Sequence, residues 1–274
     1  MPAGNAAPID RIGANEETVT IEGWAAGRVA LVTGAAYGIG RGVAERLARD
    51  GFTLMVSAER DIEPTVRAVR AVGATASGDI TDLRDFPAAG ALVERTVREW
   101  GRIDVLVNNA GITLDQSIAG TTEDDVARLL SVNVAAALWS VRAAVPHMTA
   151  QGGGSVINMS SILSGMAGRN HALYSATKGA VDAMTRQFAF DLASAQIRVN
   201  AILPGLIEVD RSFDHPEYTT ERAGTRVPWG RIGRPSDVAG LVSFLAGDDS
   251  EYISGQLIHV DGGLSVALCL HLNL

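Results

Sequence analysis

The chain has 274 residues, of which 47% are hydrophobic and 20% charged, and its formal net charge is −8. This composition indicates a globular protein with an aliphatic core, and the acidic balance argues against nucleic-acid binding, which needs a dense basic surface. A single cysteine, Cys269, excludes an internal disulfide framework and favours a reducing compartment. The five histidines show no metal-ligand spacing, so no metal site is expected.

Residues 1–26 contain no apolar run that resembles a signal peptide, and we interpret them as a flexible N-terminal extension. No stretch approaches the roughly 20 apolar residues that a membrane helix needs. We therefore expect a cytoplasmic protein without a membrane partner. Residues 27–274 contain no repeat and no low-complexity linker, so they are expected to form a single domain.

From Gly27 onward, short apolar segments alternate with helical patterns. The segments predicted as strands are 29–33, 53–57, 74–78, 103–108, 155–160, 197–202 and 256–260. Several of them are apolar along their whole length, as expected for strands that are covered on both faces. Helical patterns occupy residues 42–51, 85–101 and 123–145, and the first two end in glycines that can stop a helix. This alternation predicts an α/β fold with a doubly wound parallel sheet of about seven strands and helices on both faces.

The first predicted strand leads into the glycine-rich segment TGAAYGIG, residues 33–40. Gly34, Gly38 and Gly40 would allow a sharp turn, a close approach of backbone N–H groups to a pyrophosphate, and tight packing of the next helix. The spacing differs from the common G-x-G-x-x-G fingerprint, and a glycine-rich loop without a ligand is the alternative. The strand before the segment and the amphipathic helix after it favour dinucleotide binding.

Polar residues follow the next three strands, and ligands of such sheets bind beyond the carboxyl ends of the strands. After the second strand, Glu59 could accept from the ribose hydroxyls of NAD, whereas Arg60 could bind the extra phosphate of NADP. Asp79 could accept from an adenine amino group, and NNAG (108–111) offers amide dipoles along a cofactor. Solvated surface charges and ordinary turn chemistry explain each of these residues when it is considered alone.

A second group of candidates suits proton transfer. Tyr174 and Lys178 lie four residues apart, which on a helix places them on one face. A tyrosine with a pKa of about 10 is a poor base at neutral pH, but a nearby ammonium favours the phenolate. Ser161, 13 residues before Tyr174, could hold a substrate oxygen, and the adjacent Ser160 is a rival that spacing does not exclude. Asn133, on a largely apolar helix, could bend that helix and position a water.

In this order and spacing, the motifs resemble the short-chain dehydrogenase/reductase family from about Gly27 to Gly263. The resemblance also rests on RVNAILPG (198–205) and YISGQLIHVDGG (252–263). It implies a Rossmann-type domain with a seven-stranded parallel sheet and hydride transfer between a nicotinamide cofactor, NAD or NADP, and a secondary alcohol or ketone. It also implies a homo-oligomer, usually a tetramer, with a dimer as the alternative.

The resemblance further implies a role for each catalytic candidate. Tyr174 is the general acid/base, and Lys178 binds the nicotinamide ribose and lowers the pKa of the tyrosine. Ser161 orients the substrate oxygen, and Asn133 holds a water in the proton relay. The cofactor-binding residues that we expect come from several segments of the chain. They are Gly34, Tyr37, Gly38, Ile39, Gly40, Glu59, Arg60, Asp79, Ile80, Asn109, Ala110, Gly111, Tyr174, Lys178, Pro204, Gly205 and Ile207.

Three positions depart from the family pattern. Tyr37 stands where NADP-preferring relatives often have a basic residue, which favours NAD. Ala58 stands where NAD-preferring relatives have an acidic residue, which disfavours it. Val209 replaces a threonine that often contacts the nicotinamide carboxamide, leaving that orientation to backbone groups. We expect NAD as the cofactor, bound through Glu59, with NADP bound through Arg60 as the alternative.

Residues 206–230 resemble the variable lid of the family and carry several charged side chains. Together with Arg169, Asn170 and His171, they favour a small polar hydroxy compound such as a sugar, a polyol or a hydroxy acid. A 3-oxoacyl thioester is the alternative substrate. An idle dinucleotide-binding sensor is the alternative from another class, and the intact Asn–Ser–Tyr–Lys set argues against it.

The C-terminal segment LSVALCLHLNL, residues 264–274, is unusually apolar for a chain terminus. Our hypothesis is that it packs in a subunit interface or against a neighbouring active site. Packing within its own subunit is the alternative.

Overall fold

In a computed structural model of the chain, which describes residues 23–209 and 220–267, seven strands form one sheet. The strands are β1 (Val29–Thr33), β2 (Thr53–Ala58), β3 (Ala76–Ile80), β4 (Val105–Asn108), β5 (Gly154–Met159), β6 (Ile197–Pro204) and β7 (Leu257–Val260). Their order is β3-β2-β1-β4-β5-β6-β7, and all neighbours are parallel. The order reverses direction between β1 and β4, which places a ligand crevice at their carboxyl ends. The predicted doubly wound Rossmann-type sheet is confirmed.

Helices cover both faces of this sheet. They are α1 (Gly38–Arg49), α2 (Glu63–Ala71), α3 (Pro87–Trp100), α4 (Glu123–Leu130), α5 (Ala136–Ala150), α6 (Ala172–Leu192), α7 (Thr220–Gly224) and α8 (Pro235–Ala246). One core contains side chains of α1, α2 and α8, and the other contains side chains of α3, α5 and α6. The central strand β1 serves both cores, because Ala30 and Val32 enter the first and Leu31 enters the second. This explains why its sequence is apolar without alternation.

Strand β3 shows where the sequence pattern is least informative. The predicted segment 74–78 begins two residues before the observed strand, Ala76–Ile80. Its residues are small and weakly apolar, so periodicity could not define its ends. The register comes from pairing with β2, in which Leu54 lies opposite Ala76 and Ala58 opposite Ile80. Helices α2 and α8 were not among the predicted segments.

Residues 23–26, which the sequence analysis assigns to the extension, pack against the domain. The ring of Trp24 meets Phe52 edge-to-face at a centroid distance of 5.3 Å, and Ala25 is fully buried. The backbone N–H of Ala25 donates to the carbonyl of Asp50 at 3.0 Å. The packed part of the domain therefore includes Trp24 and Ala25. Residues 1–22 lie outside the described part of the chain.

One helical stretch, Glu123–Ala150, is long and apolar enough to cross a membrane by length and composition alone. It comprises α4, a π-helical turn (Ser131–Ala135) and α5. Val141, Ala144 and Met148 of α5 are buried in the core beside α3. Burial against the sheet therefore explains the apolar composition of this stretch.

Candidate active site

A cleft of about 280 Å³ lies at the carboxyl ends of the central strands. Its volume is near the lower end of the range for small-molecule sites. The structure brings most of the predicted cofactor residues together in its lining. These are Gly34, Tyr37, Gly38, Ile39, Gly40, Glu59, Arg60, Asn109, Ala110, Gly111, Tyr174 and Lys178. Val209 also lines the cleft.

Five predicted cofactor residues lie outside this lining. Asp79 forms an ion pair with Arg95 and accepts from the hydroxyl of Thr81 at 2.6 Å, and Ile80 is 68% exposed. The other three are Pro204, Gly205 and Ile207, at the end of β6 and just after it. Ile207 is buried and forms a bridge with Gly233.

Three residues that the sequence analysis did not single out line the cleft near β3 instead. They are Thr81, Asp82 and Leu83. They follow directly after Ile80, and β3 lies two residues later than predicted, so a corrected strand end would have pointed to them.

The glycine-rich turn contacts the NNAG segment directly. Gly34 has a φ of +64°, and a Cβ at this position would lie 2.7 Å from the Cα of Ala110. Thr33 Oγ1 accepts from the N–H groups of Asn109 and Ala110 at 3.1 and 3.0 Å. The side-chain amide of Asn109 donates back to the carbonyl oxygens of Thr33 and Gly34 at 2.9 Å. The two strand ends therefore form one rigid floor, and the glycine leaves backbone accessible for a dinucleotide.

Helix α1 begins at Gly38, and its N-cap residue, Tyr37, makes no side-chain capping bond. The first N–H groups of the helix border the cleft, where they favour an anion. At the same place, the guanidinium of Arg60 lies 5.4 Å from the centre of the Tyr37 ring and 3.1 Å from a carboxylate oxygen of Glu59. The hydrogen bond with Glu59 is the main cause that raises the pKa of Arg60. Glu59 and Arg60, the two candidates for selecting NAD or NADP, thus neutralise each other's charge.

Lys178 is buried on α6, with only 4% of its surface exposed. Its Nζ donates to the carbonyl of Met159 at 2.8 Å and lies 5.7 Å from the centre of the Tyr174 ring. Burial lowers the pKa of Lys178 to about 8, and the charge of Asp182 acts in the opposite direction. The ammonium is therefore fixed beside the phenol, as the four-residue spacing predicts.

Asn133 lies in the π-helical turn between α4 and α5, a local irregularity that is frequent at functional sites. Its Oδ1 accepts from the N–H of Ile112 at 2.8 Å, and its Nδ2 donates to the Ile112 carbonyl at 2.9 Å. Nδ2 also donates to Thr177 Oγ1 at 3.0 Å, and Thr177 in turn donates to the carbonyl of Tyr174 at 2.7 Å. The asparagine thus connects the segment after β4 to the helix that carries Tyr174 and Lys178.

The structure separates the two rival serines. Ser160 is buried, and its hydroxyl donates to the carboxylate of Asp182 at 2.5 Å. Ser161 caps a short 3₁₀ turn, and its hydroxyl accepts from the N–H of Leu163 at 3.2 Å. The proton of the Ser161 hydroxyl is therefore still available for a substrate oxygen, whereas that of Ser160 is used inside the protein.

The polar residues 169–171 lie just before Tyr174 in the chain and are not among the residues that line the cleft. Arg169 and Asn170 are exposed, and Asn170 adopts a φ of 62°. Its carbonyl accepts from the N–H of Gln116 at 2.9 Å, which holds the two loops together. The His171 ring lies edge-to-face with Tyr174 at 6.2 Å, and its buried Nδ1 has no hydrogen-bond partner among the described residues.

A floor for a dinucleotide therefore lies beside a phenol and an ammonium, whereas Ser161 is not among the residues that line the cleft. The family model described as Enoyl-(Acyl carrier protein) reductase matches residues 34–265 of the chain. The chain belongs to the short-chain dehydrogenase/reductase family. It is an oxidoreductase that interconverts alcohol and keto groups with a nicotinamide dinucleotide.

Other proteins, among them some of known structure, are similar to this dehydrogenase/reductase over most of its length. It is 36% identical to the 3-oxoacyl-[acyl-carrier-protein] reductase FabG of Thermotoga maritima, over 88% of this chain and 98% of that protein. The structure of acetoin dehydrogenase YohF from Salmonella typhimurium is 30% identical, with a TM-score of 0.82 over 89% of this chain and 98% of that one. Carveol dehydrogenase from Mycobacterium avium, in complex with NAD, is 29% identical, with a TM-score of 0.83 over 89% of this chain and all of that one.

Proposed function

We propose that this dehydrogenase/reductase acts on a small polar hydroxy compound, such as a sugar, a polyol or a hydroxy acid, with Tyr174 as its general acid/base. The observation that carries the proposal is the fixed pair of Tyr174 and the buried Lys178 ammonium beside the cleft that the glycine-rich turn lines. The dinucleotide supplies or accepts the hydride when it is bound. In the reduction, Tyr174 gives a proton to the oxygen of the former carbonyl, and in the oxidation it removes one.

The other catalytic candidates support that proton transfer. Lys178 stabilises the phenolate and binds the nicotinamide ribose, and the Ser161 hydroxyl donates a hydrogen bond to the substrate oxygen. A Cβ at Gly111 would lie 3.4 Å from both Asn133 Oδ1 and Lys178 Nζ, so these two atoms border the same space. An amide oxygen has two lone pairs, and Asn133 Oδ1 uses one on Ile112. We assign the second lone pair of Asn133 Oδ1 to a hydrogen bond from a water that passes the proton onward.

Replacing Tyr174 by Phe tests this function and separates it from a dinucleotide sensor. We expect turnover to fall by about 10²–10⁴-fold, the usual contribution of general acid–base catalysis, while the dinucleotide still binds. Turnover is followed by absorbance of the reduced dinucleotide, and binding by calorimetry. A wild-type protein that binds the dinucleotide but turns over no member of a broad panel would be a sensor.

For the cofactor, we propose NAD, bound through Glu59. A 2′-phosphate of NADP would lie close to the Glu59 carboxylate, and the single Arg60 guanidinium is already paired with that carboxylate. NADP bound through Arg60 remains the alternative. The ratio of kcat/KM for NADH and NADPH decides between them. Glu59→Gln should shift the ratio toward NADPH, and Arg60→Gln should shift it toward NADH; a preference for NADPH in the wild type that Arg60→Gln abolishes would favour the alternative.

For the substrate, the polar segment 169–171 supports a small polar compound. The similarity to 3-oxoacyl-[acyl-carrier-protein] reductase supports a 3-oxoacyl thioester as the second candidate. A panel of sugars, polyols, hydroxy acids and 3-oxoacyl thioesters, each tested with both dinucleotides, decides the class.

We also propose that the protein is a cytoplasmic homo-oligomer, a tetramer or a dimer. Large apolar side chains on the described surface support self-association, among them Phe190 on α6 (81% exposed) and Trp229 (74% exposed). Val266, 86% exposed, belongs to the apolar C-terminal segment 264–274, of which residues 268–274 lie outside the described part of the chain, as do residues 210–219 of the lid. We propose that this segment packs in a subunit interface or against a neighbouring active site. A monomer on size-exclusion chromatography with light scattering, with and without dinucleotide, would contradict it.

A further inference from the structure

Asp182 lies one helical turn beyond Lys178 on α6. Tyr174, Lys178 and Asp182 therefore follow one another at intervals of four residues along one face of the helix. Asp182 is only 7% exposed, although a buried carboxylate is costly unless it is paired and hydrogen-bonded. The proposed reaction uses Tyr174 and Lys178, but it gives this third ionisable residue no task.

The partner of the carboxylate is Ser160, the residue between β5 and Ser161. The Ser160 hydroxyl lies 2.5 Å from Asp182 Oδ1 and 3.3 Å from the carbonyl oxygen of Lys178. The first distance is that of a charge-assisted O–H···O⁻ bond, the stronger kind. A second bond between the same two segments runs from Lys178 Nζ to the carbonyl of Met159. The end of β5 is thus attached to α6 through Met159 and Ser160, the two residues that precede Ser161.

The surroundings of the Lys178 ammonium contain few charges. On α6, the ionisable groups that face it are Tyr174 and Asp182. Strand β5 and its end contribute the carbonyl of Met159 and the hydroxyl of Ser160, and the π-helical turn contributes the neutral amide of Asn133. Among the described residues, Asp182 is the group whose charge raises the pKa of Lys178 against the effect of burial.

We propose that Asp182 is a positioning residue of the active site, which keeps Lys178 charged through its own charge and holds Ser161 in register with Tyr174 through Ser160. The inference rests on the roles proposed for Tyr174 and Lys178. It divides into an electrostatic part, carried by the carboxylate charge, and a geometric part, carried by the hydrogen bond, and the two parts respond to different substitutions.

Asp182→Asn tests the electrostatic part, because the amide keeps the shape and an acceptor oxygen for Ser160 but removes the charge. We expect the alkaline limb of the pH profile of kcat/KM to move to lower pH by about one unit, since an opposite charge at close range shifts a pKa by that order. Asp191→Asn is the matched control, because Asp191 is an exposed carboxylate on the same helix, and its limb should coincide with that of the wild type. Asp182→Glu keeps the charge and should also keep the limb in place.

Ser160→Ala tests the geometric part and leaves the carboxylate in the protein. We expect kcat to fall about tenfold, the effect of one lost hydrogen bond, while the alkaline limb stays in place. An Asp182→Asn limb that coincides with that of the wild type, or an equal loss at every pH, would overturn the electrostatic part. An unchanged kcat in Ser160→Ala would overturn the geometric part.

The affinity for the oxidised dinucleotide, measured by calorimetry from pH 6 to 10, separates this inference from the proposed function. This measurement needs no substrate. In Asp182→Asn, the affinity should begin to fall at a lower pH than in the wild type, because the ammonium that binds the ribose is lost earlier. If the wild type turns over no substrate, the proposed function fails, while the binding profile still decides the role of Asp182.

Discussion

Replacing Asn158 by Ala should destabilise the protein through a buried chain of hydrogen bonds that crosses the sheet. Asn108 donates to Asn158 Oδ1, and Asn158 donates to Thr185 Oγ1, both at 2.9 Å. Ser140 donates to Asn108 at 2.6 Å, so that α5, β4, β5 and α6 are connected. Asn158 is 1% exposed, and its truncation leaves the Asn108 amide without an acceptor. An orphaned buried donor costs about 1–3 kcal/mol, and the cavity adds about 1 kcal/mol.

We therefore expect Asn158→Ala to lower the free energy of unfolding by about 2–4 kcal/mol, which corresponds to a fall in Tm of roughly 5–15 °C. Urea unfolding followed by circular dichroism measures it, at one protein concentration because an oligomer unfolds in a concentration-dependent way. Asn108→Ala should lower the free energy of unfolding by about 1–2 kcal/mol less in the Asn158→Ala background than in the wild type. In that background, the substitution also removes the Asn108 amide that Asn158→Ala leaves without an acceptor. Additive effects, or an Asn158→Ala variant within about 0.5 kcal/mol of the wild type, would refute the reasoning.

Three further predictions concern the site itself. Gly34→Ala places a Cβ 2.7 Å from Ala110 Cα at a φ of +64° and should weaken dinucleotide binding at least about tenfold by calorimetry. Gly73→Ala, with a φ of +90° and no atom within 4 Å, should leave binding unchanged, and equal losses in both variants would contradict a contact effect. Lys178→Met removes an ammonium whose pKa burial lowers from 10.5 to about 8. Between pH 8 and 10.5, the lysine is therefore protonated in the unfolded chain and largely neutral in the folded protein. The free energy of unfolding of the wild type should rise with pH across this range, by on the order of 3 kcal/mol relative to the variant. Urea unfolding at several pH values in this range measures it, and a wild-type-to-variant difference in unfolding free energy that does not change with pH would contradict the lowered pKa of Lys178. Thr177→Val removes the acceptor for Asn133 without changing side-chain shape and should lower kcat about tenfold with little change in the KM for the dinucleotide; an unchanged kcat would place the Asn133 bond outside the reaction.

The sequence predicts the frame of the site well because local chemistry dictates it. The glycine-rich segment TGAAYGIG is predicted from the backbone conformation of a sharp turn, and Gly34 and Gly38 indeed adopt positive φ. The spacing of Tyr174 and Lys178 is a helical period, so it places both on one face without knowledge of the remaining chain. Both relations depend on neighbours in sequence.

Other relations depend on contacts between distant segments, and the sequence could not specify them. Spacing alone left Ser160 and Ser161 equivalent, and only the packing of α6 beside β5 shows that the hydroxyl of Ser160 donates to Asp182. The ends of β3 follow from its register with β2, which moves Thr81, Asp82 and Leu83 into the cleft and leaves Asp79 paired with Arg95. Asp182 itself carries no motif, and its significance arises from burial beside Lys178.

The sequence by itself determined the alternation of strands and helices, the dinucleotide turn and the Tyr–Lys pair, because each of these depends on residues that lie close together along the chain. The tertiary structure decided which serine keeps its donor, which residues line the cleft beside β3, and how deeply Lys178 is buried. Those properties depend on desolvation and on hydrogen bonds between β5, α6 and the π-helical turn, which exist only once the sheet has brought these segments together.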